Sequence, residues 1–415
     1  MPVGAAPPDP DAQLLEIASK AYPDTARIGV MVSGGGDSMA LLHLLQRCHP
    51  GRVAALTIDH GLRAEARAEA EMVAAFCAAR AIPHQISLWQ RKDVAGNLMD
   101  AARRARYQIA EAWAVAQDIA QIAVGHTADD QAETFLIGLA RQAGIDGLSG
   151  MRSSWGQGQV QFSRPLLGVS RADLRGYLRR HAVNWVEDPS NSDLHYTRVK
   201  ARNALATLAD FGITATKLAV VADNLESARW ALTRQMAEAA QGFAQTATGM
   251  LTLPRETYLA LPAEIQRRLL IAALRWMSGA AYPPREHGLA AVQTALAAGK
   301  DATLGGVRYR CHSDAIQILR EAKAVQDMQV PTDQRWDNRW QLSGPHAPDL
   351  TIGALGADGL SCLKAWRDLG IPRDALLVSP AIWRNQTLIA APVAGFSNGW
   401  CANCSPSFAS FVLSH

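Results

Sequence analysis

Apolar positions in the first half of the chain alternate between short runs and longer stretches with helical spacing. Runs typical of buried strands occur at residues 27–32, 53–58, 84–89 and 119–124. Helical patterns occur at 38–47, 65–80 and 98–117, and another begins near 128. Strands separated by helices of ten or more residues pair in parallel, because parallel neighbours need a crossover connection. The pattern predicts an α/β fold with a doubly wound parallel sheet, whose ligands bind beyond the carboxyl ends of the strands.

The pattern changes after about residue 205. Residues 213–300 are rich in Ala and Leu with helical periodicity, residues 301–320 indicate a hairpin, and the last 85 residues contain short apolar runs among Trp, Gly and Pro. We therefore expect a helical domain and then a small mixed α+β C-terminal domain. The predicted division is a disordered leader at 1–20, a catalytic domain at 21–210, a helical domain with a terminal hairpin at 211–325, and a C-terminal domain at 326–415.

Composition excludes two classes of protein. With 48% apolar and 19% charged residues among 415, the chain can build buried cores, which excludes a largely disordered protein. The most apolar stretch, residues 269–274, lies between Arg268 and Arg275 and is far too short to span a membrane. The N-terminus lacks the basic and apolar regions of a secretory signal, so the six cysteines are expected to be reduced thiols in the cytoplasm.

Positive charge is concentrated in one region. Residues 141–205 contain ten Lys and Arg against five acids, a local excess of +5, whereas the whole chain carries only +3. A basic surface of this kind could meet the phosphates of a nucleic acid, or it could be a solvated helix face.

The clearest chemical motif is the segment from 33 to 38, directly after the first predicted strand and before a helix. It reads Ser33, Gly34, Gly35, Gly36, Asp37, Ser38. Consecutive glycines let backbone N–H groups converge on an anion, and the helix N-terminus adds partial positive charge. The segment lacks the lysine of a Walker loop and the spacing of a dinucleotide fingerprint. The alternative is a tight turn with Asp37 or Ser38 as an ordinary N-cap; the three glycines favour phosphate binding.

This segment resembles the SGGxDS loop of the N-type ATP pyrophosphatases, also called the PP-loop superfamily. These enzymes split ATP between its α and β phosphates. The resemblance implies that residues 33–38 bind ATP and that Asp37 takes part in catalysis and helps to hold Mg²⁺, a cation that prefers oxygen ligands.

Further segments narrow the resemblance to one family. Their order and spacing are similar to those of the tRNA(Ile)-lysidine synthases over residues 27–203, about half of the chain. The segments are 58–63 (IDHGLR), 102–107 (ARRARY), 125–134 (GHTADDQAET), 141–151 (RQAGIDGLSGM), 164–167 (RPLL) and 185–193 (WVEDPSNSD), with a weaker likeness at 303–306 (TLGG).

Membership of this family would imply a ligase. ATP would adenylate the carbon-2 oxygen of the wobble cytidine in an isoleucine tRNA with a CAU anticodon and release pyrophosphate. The side-chain amine of free L-lysine would then displace AMP from carbon 2 to give lysidine. The implied cofactors are ATP and Mg²⁺. The sequence leaves the oligomeric state open between a monomer and a homodimer.

Three residues of segment 125–134 are candidates for the lysine step. Asp130 and Glu133 are three apart at a predicted helix start, so they share one face and suit a diamino acid. His126, at the end of a strand, could relay a proton. The alternatives are first-turn acids that favour the helix dipole and a merely hydrogen-bonded histidine. The chain has Thr127 where the family usually has a second histidine, so the identity of the base stays open.

Four arginines are candidates for contacts with substrate or tRNA phosphates. Arg103 and Arg106 lie one helical turn apart, as do Arg198 and Arg202, which resemble the family's closing Arg pair. Ordinary salt bridges or a basic helix face would explain them nearly as well. Asp59 follows the second predicted strand, where an adenine would lie in such a sheet.

Two other functions remain to be weighed. A tRNA-thiolating enzyme of the same superfamily would need a reactive cysteine near the site, and neither Cys48 nor Cys77 accompanies a motif. A non-catalytic tRNA-binding protein would not need the complete loop with Asp37. The pair Cys401 and Cys404 cannot complete a four-ligand zinc site alone, so we expect it to be structural or incidental.

Overall fold

The computed structural model describes residues 9–24, 26–59, 65–89, 98–187, 197–280 and 282–414. It divides the chain into two compact units, Met1–Arg229 and Trp230–His415. Residues 60–64 and 188–196, which include parts of two of the motifs above, lie outside the described residues.

The first unit is built on one mostly parallel sheet. Its strands are β1 (Ile28–Met31), β2 (Val53–Asp59), β3 (His84–Leu88), β4 (Gln121–Val124), β5 (Ser154–Gln157) and β6 (Val160–Ser163). They lie in the order β3-β2-β1-β4-β6-β5, and only β5 runs antiparallel to its neighbour. Because the chain order reverses between β1 and β4, the crevice at their carboxyl ends is the expected ligand position.

Helices cover both faces of this sheet. They are α1 (Ala12–Ala21), α2 (Gly36–Cys48), α3 (Glu65–Ala78), α4 (Leu98–Ala116), α5 (Ala128–Ala140), α6 (Ile145–Leu148), α7 (Arg171–Arg180) and α8 (Thr197–Ala209); α9 (Ala215–Ala240) crosses the boundary between the units. One core contains Leu41 of α2 and Leu178 of α7, and a second contains Trp113 of α4 and Phe162 of β6. The predicted doubly wound α/β fold is confirmed.

The predicted disordered leader is corrected in its second half. Residues 12–21 form helix α1, whose Leu14 and Ala18 are buried in the core with α2. Asp11 accepts a hydrogen bond of 2.6 Å from Nη2 of Arg180 on α7. The sequence obscured this helix because the Pro-rich stretch before it indicates disorder, whereas two apolar residues four apart are enough to bury one face.

The second unit contains three antiparallel sheets. The five-stranded sheet consists of β7 (Ala244–Gln245), β8 (Leu251–Pro254), β9 (Ala302–Leu304), β10 (Val307–Cys311) and β11 (Ala315–Arg320). The others are formed by β12 (Val330–Pro331), β14 (Thr351–Ala354), β15 (Pro380–Arg384) and β16 (Thr387–Ala390), and by β13 (Trp340–Ser343) with β17 (Cys401–Cys404). Strands β10 and β11 form the predicted hairpin; β7 and β8 lie in the region predicted as helical.

The helices of this unit pack on its sheets. They are α10 (Arg255–Ala260), α11 (Ala263–Ser278), α12 (Glu286–Ala297), α13 (Ala322–Val325), α14 (Gly356–Ser361), α15 (Arg373–Leu377) and α16 (Phe408–Ser414), with 3₁₀ turns at Trp366–Leu369 and Pro392–Ala394. Phe408 and Val412 of α16 are buried in the same core as Leu269 of α11. The end of the chain therefore shares a core with the predicted helical domain, and the boundary at 325 stays a prediction.

Two further expectations from the sequence concern membrane-spanning helices and the pair of cysteines near the end of the chain. Among the described residues, no helix is both long and apolar enough to cross a membrane. Cys401 and Cys404 are three apart on strand β17, so their side chains leave opposite faces, and both are free thiols. That arrangement agrees with a structural or incidental pair.

Candidate active site

The glycine-rich segment forms the turn between β1 and α2. Gly34 has φ of +88°, a conformation that favours glycine. The N-cap of α2 is Gly35, and no side chain caps the helix. Ser38 instead donates its hydroxyl to the Gly35 carbonyl at 2.9 Å and accepts from the Ser33 N–H at 3.2 Å. Neither Asp37 nor Ser38 therefore acts as the N-cap of α2, and that alternative is wrong. Because no side chain caps the helix, its N-terminal N–H groups can bind an anion.

Neighbouring segments hold this turn in place. The Val186 N–H donates to the Gly34 carbonyl at 3.0 Å, and the Trp185 ring lies against Gly36. Gly125, after β4, approaches the start of α2 so closely that a Cβ on it would lie 3.0 Å from the Asp37 carbonyl oxygen and from two Ser38 backbone atoms. Glycine at 125 therefore lets the turn after β1 and the turn after β4 pack without displacement, whereas a side chain there would push the start of α2 away.

A cavity of about 380 Å³ opens at the carboxyl ends of β1, β2 and β4. Its lining includes five predicted site residues, namely Ser33, Ser38, Asp59, Arg106 and His126. Apolar walls come from Met31, Val32, Leu56, Ile58 and Val124. A cavity of this volume, with apolar walls and several polar and charged side chains beside an anion-binding turn, has the character of a nucleotide site.

A cluster of carboxylates lies beside the same turn, around one arginine that sequence reasoning did not select. Arg171, at the start of α7, places Nε 3.1 Å from Oδ2 of Asp37, Nη2 3.1 Å from Oδ1 of Asp130, and Nη1 3.4 Å from Oε1 of Glu133. The Arg171 backbone N–H donates to Oδ2 of Asp129 at 2.7 Å. The loop acid and the two predicted lysine-site acids thus meet on one guanidinium group.

Asp130 and Glu133 have structural partners as well. Asp130 forms a capping box with Thr127, whose N–H and hydroxyl donate to Asp130 Oδ2 at 2.9 and 3.0 Å. Glu133 is only 1% exposed, and its Oε1 also accepts from Nε of Arg202 at 3.0 Å. Its Oε2 is buried and has no hydrogen-bond partner within the part of the chain that the structure describes.

Burial and charge change the pKa values of this cluster. Burial raises the pKa of Asp37, the nearby Arg171 lowers it, and the Asp130 charge raises it again, with a net increase. Burial lowers the pKa of Arg171, but the carboxylates of Asp130, Asp37 and Glu133 outweigh it, so the pKa of this guanidinium is raised and it stays charged.

His126 lies among positive charges. The Arg164 Nε donates to Nδ1 of His126 at 2.8 Å. Burial lowers the pKa of His126 to about 4; the charge of Asp130 opposes this shift, while Arg164, Arg198 and Arg103 add to it. Since an arginine can only donate, the neutral ring carries its proton on Nε2. The arrangement favours His126 as a hydrogen-bond donor over the proton relay considered from sequence.

The predicted arginines fall into two groups. Arg103, Arg106 and Arg198 each expose a large part of the side chain to solvent. Desolvation of the Arg106 guanidinium group, which lines the cavity, lowers its pKa, and the nearby charges of Arg103 and Arg198 lower it further. Arg202 instead pairs with Glu133. The first group is available to an anion, whereas Arg202 belongs to the carboxylate cluster.

Two functional residues were passed over by sequence reasoning. Arg171 was only one of ten basic residues between 141 and 205, and Arg164 only the first letter of the RPLL segment. Arg164 is 6% exposed and stacks on the Trp155 ring with its guanidinium carbon 3.9 Å from the ring centre. For Arg164 the available signal was its place at the start of the apolar RPLL segment, whereas no local pattern marked Arg171.

The cysteines of this unit are poor candidates for sulfur chemistry. Burial raises the pKa of the Cys48 thiol and raises that of Cys77 to about 11. A thiol that stays protonated at neutral pH is a weak nucleophile. The thiolating alternative is not favoured.

Comparison with known proteins identifies the family of this chain. Residues 9–209 match the family described as a PP-loop domain. The chain is 44% identical to the tRNA(Ile)-lysidine synthase of Ruegeria pomeroyi over 395 residues, which cover 94% of each chain. It is 32% identical to the tRNA(Ile)-lysidine synthase of Wolbachia sp. subsp. Brugia malayi, over 79% of this chain and 80% of that one. It is also 32% identical to that of Wolbachia pipientis, over 76% of this chain and 77% of that one.

The match to the Ruegeria pomeroyi relative includes residues of both units, because it covers 94% of this chain. The chain belongs to the tRNA(Ile)-lysidine synthase family, whose members are ligases.

Proposed function

We propose that this enzyme joins free L-lysine to carbon 2 of the wobble cytidine of an isoleucine tRNA with a CAU anticodon. ATP first adenylates the base with release of pyrophosphate, and the lysine side-chain amine then displaces AMP. The observation that carries this proposal is the meeting of the ATP loop and the Asp130–Glu133 pair on Arg171. Arg171 therefore links the loop that would bind ATP to the acid pair that would bind the lysine ammonium group.

The nucleotide fits the cavity and the loop together. Adenosine would lie in the cavity that Asp59 and Ile58 line, and its phosphates would meet the backbone of residues 33–38 at the N-terminus of α2. Arg106 lines the same cavity, and Arg103 and Arg198 lie nearby. These positive charges would stabilise the triphosphate or the tRNA backbone.

The residues present also fit Mg²⁺. Within the described residues, no three His, Cys, Asp or Glu side chains are grouped to hold a metal ion. Mg²⁺ in nucleotide sites uses one or two carboxylates and completes its coordination with phosphate oxygens and water. The Asp37 carboxylate, at the start of the helix that would receive the phosphates, would be such a ligand. The ion would neutralise charge that develops on the leaving pyrophosphate.

Lysine needs a site that accepts its ammonium group. The pKa of its side-chain ammonium group is about 10.4, roughly three and a half units above pH 7. Removing the proton to form the reactive neutral amine therefore costs about 4–5 kcal/mol at that pH. Asp130 and Glu133 would bind the cation and orient it. His126, with its proton on Nε2, would donate to an oxygen of the adenylated base or of the phosphate.

The cytoplasm as compartment stays a prediction. A homodimer likewise stays a prediction. Neither affects the reaction proposed above.

Mass analysis of nucleosides tests the function directly. Isoleucine tRNA transcript would be incubated with the full chain, Mg²⁺, ATP and labelled lysine, and then digested. We expect a cytidine that has gained one lysyl group, and AMP formation that requires lysine. Adenylation with no lysine requirement would point to sulfur transfer instead, and tRNA binding without AMP would point to a non-catalytic protein.

A further inference from the structure

Arg171 covers the oxygens that a substrate cation would use. Oδ2 of Asp130 already accepts two hydrogen bonds from Thr127, and Oε2 of Glu133 is buried. The remaining oxygens of the pair are Asp130 Oδ1 and Glu133 Oε1. Glu133 Oε1 also accepts from Arg202 at 3.0 Å, whereas Arg171 places one Nη atom on each of the two oxygens. A cation that approaches this pair therefore meets the guanidinium group first.

The charges of the cluster allow a substrate ammonium group to replace the guanidinium group of Arg171 on these two acids. Arg171 is a monovalent cation whose planar fork reaches three carboxylates at once, with Nε on Asp37 and the two Nη atoms on the α5 pair. Replacing its Nη contacts with a substrate ammonium exchanges one positive charge for another. No buried carboxylate is left without a partner, which would be strongly unfavourable.

We propose that Arg171 is a positioning residue that sets the affinity for lysine: its guanidinium group holds the cation position between Asp130 and Glu133 until the substrate ammonium replaces it. This inference rests on the proposed function of those two acids. Since Nε already contacts Asp37, the displaced guanidinium remains beside the ATP loop, where phosphate charge can receive it. Lysine then binds more tightly once the nucleotide is present.

Equilibrium dialysis of labelled lysine tests the proposal without turnover. The full chain is used without ATP or tRNA, and wild type is compared with Arg171→Gln and Arg171→Lys. Arg171→Gln removes the competing charge, so we expect lysine to bind about tenfold more tightly, the effect of one charge-assisted hydrogen bond. Arg171→Lys keeps a charge but loses the fork, and its affinity should lie between those of Arg171→Gln and wild type. If Arg171→Gln does not fold, the tighter binding of Arg171→Lys carries the test.

Arg175→Gln is the matched control, because Arg175 lies on the same helix and pairs with Glu187 at 2.8 Å, outside the carboxylate cluster. Its lysine affinity should equal that of wild type. A second arm adds Mg²⁺ and α,β-methylene-ATP; it should tighten lysine binding to wild type and have a smaller effect on Arg171→Gln.

The outcomes separate the two proposals. If wild type forms lysidine but neither Arg171 variant binds lysine more tightly than wild type, the role of Arg171 is wrong and the proposed function stands. If wild type forms no lysidine from lysine, ATP and tRNA, the proposed function itself is wrong. Equal tightening by Arg175→Gln would also overturn the specific role of Arg171.

Discussion

Nδ1 of His126 accepts a hydrogen bond from Nε of Arg164 over 2.8 Å. The contact fixes the neutral ring with its proton on Nε2 and places a permanent positive charge beside it. Together with burial, this charge keeps the pKa of His126 at about 4.

We therefore expect His126 to stay neutral between pH 5 and 8. Because the folded pKa lies below the unfolded value of about 6.5, the unfolded chain binds more protons between pH 4 and 6.5. The contribution of His126 to stability is thus present above pH 6.5 and is lost as the pH falls toward 4. NMR titration of the ring, assigned with His126→Gln, measures this. Arg164→Gln should raise the pKa toward 6.5; a wild-type midpoint near 6.5 would contradict the assignment.

Asp37→Asn tests the carboxylate of the loop. The change keeps the size of the side chain but removes the charge offered to Mg²⁺, so we expect pyrophosphate release to fall about 10²–10³-fold. Glu264→Gln is the control, because Glu264 is also a first-turn acid paired with arginines, on α11. It should change stability alone. Unchanged turnover with a lower melting temperature in Asp37→Asn would reduce Asp37 to a structural role.

Asp130→Asn separates lysine binding from helix capping. The lysine KM should rise by tenfold or more while the ATP KM changes little, because the lost charge faces the ammonium site. Thr127→Ala removes the capping box and keeps the carboxylate, so it should cost about 1 kcal/mol of stability and leave the lysine KM nearly unchanged. Equal lysine KM values in the two variants would remove Asp130 from the lysine site.

Gly125→Ala tests the close approach of the two turns. The added Cβ would meet backbone atoms of Asp37 and Ser38 at 3.0 Å, so the ATP loop must shift, at a cost of about 1–3 kcal/mol. We expect the ATP KM to rise at least about fivefold. Gly144→Ala is the matched control, since an added Cβ there meets nothing within 4 Å. An unchanged ATP KM in Gly125→Ala would show that the loop tolerates the shift.

Arg198→Glu tests the exposed arginines as phosphate contacts. We expect weaker tRNA binding and a salt dependence whose slope falls by about 1, because one phosphate contact is lost. Lys20→Glu reverses the charge of an exposed side chain on α1 and should leave the slope unchanged. A defect confined to lysine saturation would reassign Arg198 to the amino-acid site.

The sequence by itself determined the parallel sheet and the position of the ATP loop. Strand and helix periods are local properties, and three adjacent glycines before a helix restrict what the backbone can do. The turn at residues 33–38 therefore lies where the pattern predicts it, at the carboxyl end of β1. The order of the motifs along the chain likewise identified the family.

Only the tertiary structure decided how the side chains pair. Arg171 is 134 residues from Asp37 and about 40 from Asp130 and Glu133, so no local pattern marks it as their common partner. The tautomer of His126 depends in the same way on Arg164, 38 residues away. Helix α1 was missed because a Pro-rich stretch precedes it and because the packing of its apolar face on α2 is not visible in the local pattern. Pairings between distant residues are set by how the layers pack, and they determine which charges face the substrates.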